Sequence, residues 1–190
     1  MTEKSKMSTK KIMGTIALIV IGGIGLLVFM IFATVKTKST SINRYEPFKE
    51  WIGKTVTLNK EVVLFKDKVE MNHNSDYPYR VLDHHHPQWQ YIDEKKRIGD
   101  LEEITTFPAG TTWKFEKAIQ YTNGVSGFSY PIMFGTIAID GKEYKTGYQW
   151  GEMDVEKKFD KVEKCWQFHQ APWQEEKDTA YYALPTASLW

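Results

Sequence analysis

The sequence predicts a mainly β (α+β) protein: a single transmembrane helix near the N-terminus, then a small antiparallel β-barrel domain with one amphipathic helix in its C-terminal half. Three observations lead there. Residues 12–35 (IMGTIALIVIGGIGLLVFMIFATV) contain no charged side chain. Two apolar, alternating runs flank Asp140-Gly141, and an Asp-Gly pair between such runs is the signature of a type I′ hairpin. Residues 112–121 alternate with a period of two, as a strand with one buried face does.

The apolar run is long enough to cross a bilayer. Its 24 residues would make a helix of roughly 36 Å, against a hydrocarbon core of about 30 Å. Lys10, Lys11, Lys36 and Lys38 bound it, and their ammonium groups reach headgroups while their stems stay in oil. A cleaved signal peptide has a shorter apolar run, about 7–15 residues, and a small-x-small cleavage site; Phe32-Ala33-Thr34-Val35 offers none. Gly14, Gly22 and Gly25 are followed four residues on by Leu18, Leu26 and Phe29, so the small-xxx-small packing motif is absent. Lys4, Lys6, Lys10 and Lys11 precede the run and Lys36, Lys38 and Arg44 follow it. The positive-inside bias and the short leading segment predict a cytoplasmic tail at residues 1–11, a membrane helix at 12–35, a polar tether at 36–45 and an exported soluble domain at 46–190.

Composition narrows the domain's class. The chain has 190 residues, 25 basic and 24 acidic, a length that suits one domain and an appendage. Four lysines and one glutamate fall in the first 35 residues, leaving 21 basic and 23 acidic residues, a net of −2. So neutral a domain has no electrostatic footprint for nucleic acid, and no nucleic-acid partner is expected. Cys165 is the single cysteine, so no intrachain disulfide forms. Stability must come from burial, for which seven tryptophans are available.

Element by element, 46–52 reads as a short helix with Pro47 in its first turn and Gly53 at its end. Residues 55–65 read as one bulged strand or a tight hairpin about Asn59-Lys60, and 67–99 as mostly loop around a short strand at Tyr79–Leu82. Leu101–Phe107 is the next strand. In 112–121, Trp113, Phe115, Ile119 and Tyr121 share one face and Lys114, Glu116 and Gln120 the other. Residues 130–139 and 142–150 form the Asp-Gly hairpin, with Tyr144, Thr146, Tyr148 and Trp150 on one face. Val155, Phe159, Val162 and Trp166 recur at helical spacing, predicting an amphipathic helix over 154–167 capped by Asp154. The stretch 169–190, with Trp173, Tyr181, Tyr182 and Trp190, is expected to pack back onto the domain. The turn Pro108-Ala109-Gly110-Thr111 running into a strand resembles small barrels of the SH3-like type, which implies a sheet closed on itself.

Few residues carry chemistry in their spacing. In the extended Asp83-His84-His85-His86 segment, His84 and His86 would point the same way. With His73 as third ligand, or Asp76 or Asp93 in its place, they form the predicted metal site, for zinc or another transition metal. Against it, no H-x-x-x-H or H-E-x-x-H spacing fixes ligands on a rigid element, and solvated loop histidines give the same sequence. Cys165 and His169 would be neighbours on the predicted helix, a thiol–imidazole pair in form. Nothing marks an orienting residue, and a buried cysteine packs as a small hydrophobe. The glycines of 123–127 lack the Lys-Ser/Thr of a phosphate loop and suit a hairpin turn. Glu102-Glu103 and Glu175-Glu176 are adjacent, so an extended chain points each pair apart.

No catalytic residue is therefore expected. The sequence predicts a membrane-anchored, non-enzymatic envelope protein whose exported domain binds another protein, as an accessory or immunity-type factor. The alternatives are an envelope metal protein using the His84–His86 loop, and a barrel that stacks glycan or lipid on exposed aromatics.

Overall fold

A computed structural model of the protein describes residues 8–68 and 74–187. Helix α1 (Thr9–Val35) has 27 residues, none of them buried. It is long and apolar enough to cross a membrane, with a mean hydropathy of 2.9 over its best window.

The rest is built on one mixed sheet. Its strands are β1 (Lys38–Ser41), β2 (Thr55–Thr57), β3 (Val62–Asp67), β4 (Tyr79–Leu82), β5 (Leu101–Phe107), β6 (Thr112–Thr122), β7 (Ser129–Ile139) and β8 (Lys142–Gln149). The order is β1-β6-β7-β8-β4-β3-β5, and β2 also lies on β6. The Asp140-Gly141 hairpin forms as the sequence predicts: Ile139 faces Lys142, and both turn residues have positive φ, 49° and 74°.

The sheet is neither wholly antiparallel nor closed into a barrel. β4 and β8 run parallel, and among the described residues β5 and the β1/β2 pair are its unjoined edges. The core is sealed by other means. Ile42, Phe48 and Leu58 enter it between β1 and β3, and Cys165, Trp166, Phe168, Ala171 and Trp173 enter it from the C-terminal segment. With those residues covering one face of the sheet, burial no longer requires the edges to meet.

Five local expectations change. Lys38–Ser41, read as tether, is strand β1, which pairs Lys38 with Thr122 and Ser41 with Ile119 and so protects the edge of β6. β2 and β3 are not each other's hairpin: β2 lies on β6, and β3 lies between β4 and β5. Central β3 is buried on both faces. Val62 and Leu64 enter the main core, and Val63 and Phe65 enter a second cluster with Leu82, Ile92 and Leu101, which is why VVLF reads as a continuous apolar run. That second cluster is roofed by a 3-10 turn (Pro87–Tyr91) and helix α2 (Ile92–Arg97), inside the stretch expected to be mostly loop. Asp93 and Glu94 in the first turn of α2 and Lys95 to Arg97 in its last complement the helix dipole.

The fourth change concerns the predicted 154–167 helix. Asp154 does cap it, accepting from the Lys157 amide at 3.0 Å. Yet helix α3 is only Val155–Phe159. Lys161 adopts φ 60°, a left-handed conformation that ends a helix. Trp166 then leaves the helical path for strand β10 (Trp166–Gln167), which pairs with β9 (Glu152–Met153) and bridges to Tyr182. Within the described residues the segment after His169 packs back, as expected: Trp173 is buried against Trp113, Phe115, Tyr148 and Trp150 at 4.6–5.7 Å between ring centroids, while Trp190 lies outside the described residues.

A bulge between Phe115 and Lys117 reverses the facing of β6. Trp113, Phe115 and Ala118 line the main core. Ile119 and Tyr121 turn to the opposite side, where they join Tyr77 and Phe134. The single face expected for Trp113 through Tyr121 is thus two faces, exchanged at the extra residue.

Candidate functional site

A buried polar cluster lies where the turn after β4, the end of β8 and the C-terminal segment meet. Leu82 ends β4, and the chain turns at once: the His86 amide donates to the Asp83 carbonyl at 3.0 Å, and the His85 amide to Asp83 Oδ1 at 2.9 Å. Pro87 then opens the 3-10 turn with His86 as its cap. Proline fits that first position because its missing amide would have had no partner there.

His86 is buried, and both of its ring nitrogens are in use. Nδ1 accepts from the Gln88 amide at 3.0 Å, and Nε2 stands 2.8 Å from the Gln149 carbonyl oxygen. An amide only donates and a carbonyl only accepts, so His86 is the neutral tautomer with hydrogen on Nε2. Burial, the largest cause, holds its pKa below the ordinary imidazole value. Neither nitrogen offers a lone pair to a metal.

Tyr148, wholly buried on β8, donates its hydroxyl hydrogen to Asp83 Oδ2 at 2.9 Å. Its oxygen also lies 3.0 Å from His169 Nε2. The one hydroxyl hydrogen is committed to Asp83, so His169 must donate here from Nε2. Burial first, then neighbouring His86, Lys177 and Lys60, push the His169 pKa down to about 3. Burial also drives the Tyr148 pKa well above its usual value, reinforced by the Asp83 charge. The His86 and His169 rings meet edge to face at 4.7 Å, and Trp150 Nε1 donates to the His169 carbonyl at 2.8 Å.

This arrangement works as a clamp. Tyr148 Oη and His169 Nε2 are held in hydrogen bonds inside the protein, while burial raises the tyrosine's pKa and lowers the histidine's. What the group does is tie three separated segments together, the turn after β4, the end of β8 and the C-terminal segment, through hydrogen bonds made inside the protein, where leaving a group unpaired would cost about 1–3 kcal/mol.

The other predicted residues disperse. His84 is exposed, its ring tilted against that of Trp89 at 4.0 Å between centroids and its Nε2 3.8 Å from Glu61, so it turns away from His86. His73 lies outside the described residues. Asp76 and Asp93 are exposed, Asp93 on α2. Among the described residues no group of three His, Cys, Asp or Glu side chains converges as metal ligands would. Cys165 is buried in the main core, and the chain from Cys165 to His169 is not helical. The helix ends before Cys165, so the expected adjacency of thiol and imidazole has no basis. Sequence reasoning missed Asp83 and Tyr148 as partners, because the parallel pairing of β4 with β8 is what joins them.

The surface carries one further feature. On α3, Phe159 is 87% exposed and Val155 66%, with Glu156, Lys157, Lys158 and Asp160 around them. No family model, no curated protein and no solved structure matches the chain.

Proposed function

We propose that this chain is a non-enzymatic envelope protein, anchored by α1 with residues 1–11 in the cytoplasm, whose exported domain binds another protein as an accessory or immunity-type factor. The observation that carries the reading is the exposed Val155–Phe159 pair inside a charged rim. An apolar anchor surrounded by polar residues is how binding energy is commonly concentrated in a protein interface. Covering Phe159 alone would contribute about 1.5–3 kcal/mol, which gives the chain a reason to tolerate it in water. The clamp supports the non-enzymatic part, since both His86 nitrogens, His169 Nε2 and the Tyr148 hydroxyl are already taken up in hydrogen bonds within the protein.

A photo-crosslinking residue at position 159 of the full-length chain, in its native membrane, tests this. The expected result is one discrete adduct with a second protein, lost in a Val155→Asp background and absent when the crosslinker replaces exposed Lys114. No adduct, or the same adducts from both positions, overturns the reading. So does an adduct of twice the chain's own mass, which would assign the patch to self-association.

A further inference from the structure

The geometry points to a second membrane contact: the β6–β7 hairpin tip dips Val125 and Phe128 into the headgroup zone of the same bilayer that α1 spans. The inference rests on the anchoring role proposed for α1 and adds to it a surface of the folded domain.

Register places the tip. β1 begins three residues after α1 and runs antiparallel to β6, with Ser41 opposite Ile119 and Lys38 opposite Thr122. Continuing that antiparallel path sets the residues after Thr122 beside the residues before Lys38, which are the last turn of α1. The contact is close. A Cβ added to Gly124 would come within 2.2 Å of the Thr34 carbonyl oxygen and 2.6 Å of that of Lys36. Only a glycine lets the two backbones approach so far. The tip therefore sits level with Thr34 to Lys36, where the apolar run of α1 gives way to lysines.

The composition of the tip suits that depth. Residues 118–139 contain no charged side chain. Val125 is 74% exposed and Phe128 50%, although both border a well-packed sheet. Backbone amides also resist entry into a bilayer unless they are satisfied within the protein. From Val125 to Phe128 they are: Asn123 Oδ1 accepts from the amides of Val125 and Ser126, each at 2.9 Å. The Gly127 amide reaches the Asn123 carbonyl at 2.9 Å, and the Phe128 amide reaches Ser126 Oγ at 3.2 Å. Lys36 and Lys38 flank the tip at the level where headgroups lie. A loop whose amides from Val125 to Phe128 are satisfied, with two exposed apolar side chains and no charge, held against the end of a membrane helix, fits a lipid surface.

The test uses full-length chains carrying one added cysteine, Val125→Cys, Leu27→Cys or Val155→Cys. Each is labelled with an environment-sensitive fluorophore and reconstituted in phosphatidylcholine–phosphatidylglycerol vesicles with or without lipids bearing a quencher near the headgroup. The parent chain, whose Cys165 is buried, gives the background. The inference expects a blue shift and loss of emission at position 125, loss at 27, and neither at 155. Loss at 27 but not at 125 overturns this contact and leaves the anchor standing. No loss at 27 overturns the anchor and this contact with it. Loss at 155 equal to that at 125 also overturns it, because the domain would then lie on the surface without a preferred face.

Discussion

The hydroxyl of Tyr148 donates to Asp83 Oδ2 at 2.9 Å, joining strand β8 to the turn that leaves β4, with both residues buried. The bond crosses the parallel β4/β8 pair, which among the described residues is the one pairing that departs from an all-antiparallel sheet. It also positions the Tyr148 oxygen to accept from His169, so the C-terminal segment is tied to the same point.

Tyr148→Phe should preserve the ring's packing and lose only the hydroxyl, leaving a buried carboxyl oxygen and the His169 N–H short of a partner. The expected cost is about 1–3 kcal/mol. Asp83→Asn should cost a similar amount, and the double variant less than the two together, because both remove one interaction. Urea titration of the detergent-solubilised full chain, followed by tryptophan emission, measures this. All seven tryptophans lie outside α1, so the signal reports the domain. Simple additivity would show that the bond is not coupled as described.

Acid should weaken the fold through His86 and His169. Both have folded pKa values below that of a free imidazole, with burial the largest cause. The unfolded chain therefore binds more protons between the two values. This contribution is complete above the unfolded value of about 6.5 and is lost as pH falls from there toward about 3, where His169 would titrate in the folded state. His169 can account for up to about 2 kcal/mol of the loss by pH 5, and His86 adds to it in the same direction. The urea midpoint should fall between pH 7.5 and 5, and His169→Gln should lose less over that interval than the parent. Equal losses in parent and variant would remove His169 from the account.

Trp173→Ala should be among the most damaging single changes outside the sheet. Its indole is buried against Trp113, Phe115, Tyr148 and Trp150 and closes the open side of the core. Truncating a buried tryptophan costs about 3–5 kcal/mol. A thermal melt matching that of Trp173→Phe would contradict the role given to the C-terminal segment.

Gly135→Ala tests the close crossing of β6 and β7. An added Cβ would stand 2.3 Å from the Lys114 carbonyl oxygen and 2.9 Å from Trp113 Nε1. Backbone cannot yield cheaply, so a loss of about 1–3 kcal/mol is expected. An alanine variant as stable as the parent in urea would mean that the two strands stand further apart.

What the sequence made legible was local. The Asp140-Gly141 turn, the shared face of Tyr144, Tyr148 and Trp150, and the Asp154 cap are each set by residues within a few positions of one another. Three other features depend on distant partners. Lys38–Ser41 is a strand because β6 needs an edge partner, not because KSTS resembles one. The single residue that reverses β6 at its bulge has no mark in an otherwise even alternation. The spacing of Val155, Phe159 and Val162 is helical, yet these side chains face solvent and Trp166 leaves to join Met153 and Tyr182. The same limit governed the histidines. His86 looked like a ligand beside His84, and its role became visible only with Gln88 and Gln149 placed on its two nitrogens.

Anchoring is most directly tested by washing membranes that contain the full-length chain in alkaline carbonate, centrifuging them, and taking the intact mass of the product. An uncleaved α1 predicts the chain in the pellet at full mass. Full-length chain in the supernatant, or a product shortened by the α1 segment, would contradict the anchor and every inference that rests on it.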